Sequence, residues 1–194
     1  MALNEYALIT WAFAKSMLDY DDEDQVKAEF LINAASIRAS KIAGRKLSYI
    51  SNEDYFQGTG TDTLLLSLFP VNKLNELRID ASRVFGDDTI VTEYEVDEDA
   101  GILHLLDSVF PEGRKTVKII YTTGYSKEPG VDLIETPSDL QSAILEIVRW
   151  NWGRFQGSNF GIKGSSVDGV NTSFEITVPL NARQIIEGYG CRHL

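Results

Sequence analysis

The chain has 194 residues, enough to bury one core and carry an appendage, whereas two full domains would be cramped. Its 29 acidic and 18 basic residues give a formal net charge of −11, so its overall field repels the phosphate backbone of a nucleic acid. The only cysteine, Cys191, excludes an intrachain disulfide framework and a cysteine-rich metal site, and no apolar run is long enough to cross a bilayer.

Two helices are predicted in the first part of the chain. Thr10 can cap a short helix over residues 11–18, and an acidic run leads into a longer helix over residues 22–43, which Gly44 ends. Apolar side chains recur at helical spacing in the longer helix, at Val26, Phe30, Ala34 and Ile37. This spacing predicts a packing face, so we take Val26 and Phe30 as candidates for the core.

Residues 49–122 have the pattern of an antiparallel sheet. Short apolar and β-branched runs, such as TLLLSLF and TVKIIYT, are separated by turn residues and acidic clusters. Gly101 lies in a tight connection, where a left-handed conformation would close a hairpin. We therefore predict a meander of hairpins inserted between the helices.

A third helix is predicted over residues 137–155, because Thr136 suits the cap and Pro137 suits the first helical position. Its apolar side supplies four further core candidates: Ile144, Ile147, Val148 and Trp150. Residues 1–155 are thus predicted to form one α+β domain, a small helical bundle (helices 10–44 and 137–155) that carries the inserted sheet.

The remaining residues, 156–194, are predicted to form a C-terminal arm with a short helix over residues 179–187. Residues 156–178 are rich in glycine, serine and asparagine, which are costly to order alone. The arm nevertheless carries apolar and aromatic side chains that we take as interface candidates: Phe160, Phe174, Ile176, Ile185, Ile186 and Tyr189. We expect the arm to contact a neighbouring subunit or another protein; the alternative is a hairpin and helix folded back on the parent domain.

Two short segments look like ligand-binding loops but lack the residues that such loops need. GTGTD, residues 58–62, precedes a strand-like run instead of a helix and has no Gly-Lys-Ser/Thr ending, so we interpret it as a turn. DYDDEDQ, residues 19–25, has the carboxylate density of a calcium loop, but Asp24 occupies the position that requires glycine. We interpret this segment as a solvated helix start, where acids favour the positive end of the helix dipole.

A further acidic cluster leaves an alternative function open. Glu93, Glu95 and Asp97 would share one face of a strand, where paired carboxylates can perform acid–base chemistry or hold a divalent ion. The outer, water-facing side of a hairpin is the favoured interpretation. The sequence therefore predicts no catalytic, cofactor-binding or metal-binding residue, with a small acidic enzyme or ligand-binding domain as the alternative.

The order of motifs along residues 8–155 is more specific than any single motif. The most distinctive motifs are Tyr94-x-Val96-Asp97 with Gly101-Ile102-Leu103, and Tyr121-x-x-Gly124-Tyr125 followed by Pro137, Leu140, Ala143-Ile144 and Trp150. In this order they resemble the head-to-tail connector (adaptor) proteins of tailed bacteriophages.

The resemblance implies a structural virion protein without enzymatic activity and without a cofactor. Its implied partners are copies of itself in a ring, a dodecamer in the virion, together with the phage portal protein and a downstream neck or tail protein. The ring would line a channel through which DNA passes without specific binding, and no membrane is involved. The implied location is the virion, assembled in the cytoplasm of the bacterial host.

Overall fold

The computed structural model describes residues 2–128, 130–156, 164–167, 170–173 and 178–190, which fall into two compact units. The helical unit contains the described residues up to Ser48, residues 126–128 and the described residues from Glu135 onward. The sheet unit contains residues 49–125 and 130–134. The predicted α+β class is confirmed. Within the described ranges, no helix is both long enough and apolar enough to span a membrane.

The helical unit contains four α-helices: α1 (Trp11–Leu18), α2 (Gln25–Ala43), α3 (Ser138–Gln156) and α4 (Leu180–Gly188). Local capping sets the ends of the first two. Thr10 Oγ1 accepts a hydrogen bond from the Phe13 amide at 3.1 Å, which satisfies a free amide of the first turn of α1. Gly44, at φ +69°, ends α2 in the left-handed conformation that glycine adopts without a Cβ clash.

The core of the helical unit lies where α2 packs on α3 and where α4 packs on both. α2 contributes mostly small side chains to it: Ala28, Leu31, Ile32, Ala35, Ala39 and Ala43. α3 contributes larger ones: Leu140, Ala143, Ile144, Leu145, Ile147, Val148 and Trp152. The predicted core candidates Ile144, Ile147 and Val148 are thus buried.

The prediction that Val26 and Phe30 belong to the core is wrong, because their side chains are 59% and 56% exposed. Successive residues turn by about 100° around a helix, so Phe30 projects about 200° away from Ala28, which faces the core. The alanine-rich side of α2 is the side that approaches α3, and the larger apolar side chains face outward.

Trp150 is only partly buried, so it is not the central core residue that the sequence predicted. The buried tryptophan is Trp152, which follows Val148 by one helical turn and therefore shares its face. Its ring packs against Tyr20, with 4.6 Å between ring centroids.

The predicted meander of hairpins is wrong: the sheet unit contains two three-stranded antiparallel sheets, in which most paired strands are not consecutive in the chain. Strands β1 (Ile50–Gly58), β6 (Gly113–Thr123) and β3 (Val71–Ile79) form one sheet with β6 in the centre, and β2 (Thr63–Leu65), β5 (Ile102–Leu105) and β4 (Tyr94–Asp97) form the other with β5 in the centre. Two further pairs of short strands are separate from these sheets: β7 (Tyr125–Ser126) pairs with β8 (Ile134–Glu135), and β9 (Gly164–Val167) pairs with β10 (Val170–Ser173) in the part of the chain that belongs to the helical unit.

Apolar residues from both three-stranded sheets share one core: Leu64, Leu66, Val71, Leu77, Leu103, Leu105, Phe110, Val117, Ile119 and Tyr121. Gly101 takes φ +66° in the β4–β5 hairpin, as the sequence predicted. Gly58 is required by a close approach: a Cβ built there would lie 1.9 Å from the Pro111 carbonyl oxygen.

Candidate assembly surfaces

The α1–α2 connection forms an acidic surface at one end of α2. Asp19, Asp21, Asp22 and Glu23 are exposed, and residues 22–24 form a 3-10 turn that leads into α2. The Lys15 ammonium contacts Asp22 Oδ1 at 2.5 Å, an ion pair with water around both partners. The structure places these carboxylates at a helix start, in keeping with the interpretation of DYDDEDQ.

The outward side of α2 is an exposed apolar surface. Val26, Phe30, Ala34 and Ile37 lie along one side of the helix, and we call these four residues the α2 apolar face. At the acidic end of α2, the face borders a groove of about 350 Å³ lined by Val26, Lys27, Phe30, Leu31 and Phe155. Groups of exposed apolar side chains of this kind mark contact surfaces in soluble proteins.

The opposite end of α2 carries positive charge. Arg38, Lys41 and Lys46 are exposed, and the sequence contains no acidic residue between Glu29 and Glu53. A second groove, of about 390 Å³, lies here and is lined by Tyr6, Ile37, Ser40, Lys41, Gly44, Arg45, Lys46 and Ser48. The two ends of α2 therefore combine an apolar groove with charge of opposite sign.

Three aromatic rings connect the acidic end of α2 to α3. Tyr20 stacks on Trp11, at 6.2 Å between centroids and 7° between planes, and it also packs against Trp152 with the ring planes tilted by 40°. Burial raises the pKa of Tyr20 to about 12; nearby Asp24 adds to the effect and Arg149 opposes it. The Tyr20 hydroxyl is buried and has no hydrogen-bond partner among the described residues. The Tyr20 ring therefore stabilises the contact between these elements by packing, and its hydroxyl contributes no hydrogen bond among the described residues.

For α4, the structure contradicts the prediction that the C-terminal arm contacts a neighbouring subunit or another protein instead of its own bundle, and it matches the alternative of a helix folded back. Ile186 is fully buried where α4 packs on α2 and α3, and Ile185 beside it is partly buried. Tyr189 is also partly buried, and its hydroxyl donates a hydrogen bond of 2.5 Å to Asp139 Oδ1 on α3. The other interface candidates, Phe160, Phe174 and Ile176, lie outside the described residues. α4 is thus part of the helical unit.

The carboxylate face of the β4–β5 hairpin is a water-facing surface. Glu93, Glu95 and Asp97 are all exposed, and β4 lies at an edge of its sheet. Asp97 Oδ1 accepts a hydrogen bond from the Ala100 amide at 2.9 Å, which shapes the turn. In the part of the chain that the structure describes, no group of three or more acidic, histidine or cysteine side chains is placed to hold a metal ion.

One loop of the sheet unit is held in a defined shape. The Asp80 carboxylate accepts hydrogen bonds of 2.6–2.9 Å from the Ser82 hydroxyl and from the amides of Ser82, Val84 and Phe85. These bonds, the Ser82 hydroxyl first among them, hold the pKa of Asp80 well below its usual range. The ordered loop presents Val84, which is 79% exposed. In the sequence, only the turn signal Asp-x-Ser marks this surface, and a turn signal does not show that the loop is exposed and apolar.

These surfaces are charged ends, exposed apolar faces and an ordered loop, a combination that is typical of proteins that contact other proteins. The family of head completion proteins matches this chain over residues 7–191, and the chain belongs to that family. The predicted class, a structural head-to-tail connector component of a tailed phage rather than an enzyme, is confirmed. A comparison with curated proteins gave no match.

Several solved structures share the fold over the whole chain. A chain from the neck of an empty gene transfer agent (GTA) particle, computed with C6 symmetry, is similar with a TM-score of 0.59 and 17% identity, covering 100% of this chain and 97% of that one. For a chain from the neck of the native GTA particle, computed with C12 symmetry, the TM-score is 0.57 and the identity is 18%; the match covers 100% of this chain and 97% of that one. For a chain of the native GTA virion, the TM-score is 0.59 and the identity is 18%; the match covers 100% of this chain and 94% of that one.

Proposed function

We propose that this protein forms a closed ring of twelve copies in the neck of a phage-like particle, between the portal and the tail. The observation that carries the proposal is the full-length likeness to a neck chain in a particle computed with C12 symmetry, together with membership of the head completion family. A rotational ring repeats one heterologous contact, so each copy needs two different surfaces that fit each other.

The proposed neighbours of the ring are the portal protein on one side and a downstream neck or tail protein on the other. The proposed location is the virion, with assembly in the cytoplasm of the bacterial host. The ordered Val84 loop supplies a contact surface for such neighbours. DNA would pass through the ring, and the net charge of −11 per copy favours passage without binding.

The test combines the purified full chain with the portal protein of its own phage. We expect native mass spectrometry and negative-stain imaging to show a twelve-copy ring on the portal. A protein that stays monomeric and does not bind the portal protein at any concentration tested would show that the proposal is wrong.

A duplex-binding titration tests the channel. We expect no shift at physiological salt, because the chain has no excess of positive charge with which to displace counterions from phosphate. A micromolar, salt-sensitive shift would contradict a role in passive DNA passage.

A further inference from the structure

Each end of α2 combines an apolar groove with exposed charge, and the two ends differ in sign. The acidic half consists of residues 19–24 with Val26, Phe30 and the groove beside Phe155. The basic half consists of Ile37, Arg38, Lys41 and Lys46 with the groove beside Tyr6. An apolar centre flanked by charged residues is the usual composition of a protein–protein interface.

We propose that the acidic half of α2 in one copy binds the basic half of α2 in the next copy, and that the α2 apolar face is buried between them. This inference rests on the proposed ring, because it names the surfaces by which neighbouring subunits meet. It commits the α2 apolar face to a second copy of this chain.

Charge complementarity is the reason for choosing a second copy as the occupant. Four exposed carboxylates lie within residues 19–24, and three exposed cations lie within residues 38–46 with no acid among them. Two acidic halves would repel each other, as would two basic halves, so the contact favours a head-to-tail order. Head-to-tail contacts are heterologous, and a closed ring needs contacts of that type.

The apolar residues fit the same arrangement. Val26 and Phe30 are more than half exposed at the acidic end, and Ile37 is 41% exposed toward the basic end. In a staggered overlap of the two helices, Val26 and Phe30 of one copy contact Ile37 of the next copy. All three side chains then lose their contact with water. Fold stability gives no reason to keep Phe30 on an outward helix position, since buried alanines already make the contact with α3.

A charge-reversal set in the full-length protein tests the proposal. One variant, Asp21→Lys with Asp22→Lys and Glu23→Lys, changes the formal charge of residues 19–24 from −5 to +1; a second, Arg38→Glu with Lys41→Glu and Lys46→Glu, changes the three exposed cations of the basic half from +3 to −3. All six positions are exposed. We expect either variant to lower the assembled fraction at least about tenfold, as loss of interface hot spots does. A third variant with all six changes restores opposite charges between neighbours, and we expect it to regain assembly.

A further variant, Phe30→Gln, tests the apolar part, with Val131→Gln as the matched control because Val131 is 91% exposed in the sheet unit. We expect Phe30→Gln to lose at least about tenfold of the assembled fraction while the melting temperature of the monomer is unchanged. We expect the control to assemble normally. Native mass spectrometry, negative-stain imaging and circular dichroism supply the readouts.

The outcomes separate this inference from the proposed ring. If the unchanged chain forms rings, and the Phe30 variant or the two charge reversals form them equally well, the interface proposal is overturned and the ring stands. Failure of the six-site variant to regain assembly also overturns the charge arrangement. Rings that persist but lose the portal would assign the face to the portal instead. A lower melting temperature of the Phe30→Gln monomer would assign it to this chain itself. If the unchanged chain never forms rings, the proposed function fails, and this inference fails with it.

Discussion

Helices α2 and α3 have the same length, 19 residues, but they use their apolar residues differently. α3 turns its large apolar side chains, such as Ile144 and Val148, toward the core of the helical unit. α2 gives that core mainly alanines and keeps Val26 and Phe30 outside. The comparison teaches that the small side of a helix can be its buried side, because alanines let a neighbouring helix approach closely.

The largest expected effect separates the two helices directly. Replacing Ile144 on α3 with alanine removes a fully buried side chain, and we expect a loss of about 2–5 kcal/mol in the free energy of unfolding. Phe30→Ala on α2 is the comparison, and we expect a loss of less than about 1 kcal/mol because more than half of that side chain is in water. Chemical denaturation followed by circular dichroism measures both. Equal losses would mean that the outward face of α2 packs against this chain.

A second, smaller effect tests the small side of α2. Ala35 is buried and Ala34 beside it is exposed, so the two form a matched pair. We expect Ala35→Leu to cost about 1–3 kcal/mol, because a larger side chain forces α2 away from its neighbours. Ala34→Leu should stay within about 0.5 kcal/mol, as exposed substitutions usually do. If Ala35→Leu is tolerated equally well, close approach of α2 to its neighbours is not what its alanines provide.

The smallest effect concerns Tyr20, which lies between the acidic end of α2 and Trp152 of α3. Because its folded pKa is raised to about 12 from an unfolded value of about 10, its contribution to stability is complete below about pH 10 and is lost between about pH 10 and 12. We expect Tyr20→Phe to show a shallower loss of stability over that range. At neutral pH the variant should be at least as stable as the unchanged protein, since it removes a buried hydroxyl that makes no hydrogen bond among the described residues. Denaturation of both proteins at a series of pH values from about 8 to 12 measures this difference. Parallel curves of unfolding free energy against pH would contradict the raised pKa of Tyr20.

The features that the sequence predicted well are local ones. The cap at Thr10 and the stop at Gly44 depend on a few adjacent residues, so their chemistry is visible in the sequence. Gly101 in its hairpin is a third example. The α+β class followed from the change of period between helical and strand segments.

The features that the sequence missed depend on what lies across from a residue. α2 carries apolar residues on two sides, and only the position of α3 decides which side is buried. Strand β1 alternates exposed residues with partly buried ones, polar Asp54 among the latter, and is fixed by pairing with β6, from Ile50 opposite Thr123 to Phe56 opposite Val117. The register between distant strands cannot be read from either strand alone.

The glycine- and serine-rich composition before α4 suggested an arm that extends away, but composition reports the cost of ordering and not the destination. Ala182 and Ile186 recur at helical spacing and are both buried in α4. The neighbouring Ile185 is only partly buried, so the phase of this short helix decided between two equally apolar side chains. Only the contact with α2 and α3 fixes that phase.

The helical unit is built from pieces that are far apart in the chain, whereas most of the sheet unit is one continuous stretch from Tyr49 to Tyr125. During synthesis, β1 to β6 are complete before α3 leaves the ribosome, and α2 exists until then without its packing partner. Once the intervening stretch has folded, its two ends are held near each other by the β1–β6 pairing, which joins Ile50 to Thr123. That pairing shortens the effective loop between α2 and α3 and lowers the entropic cost of closing it. We therefore expect folding to proceed from the middle of the chain outward, with the helices docking last.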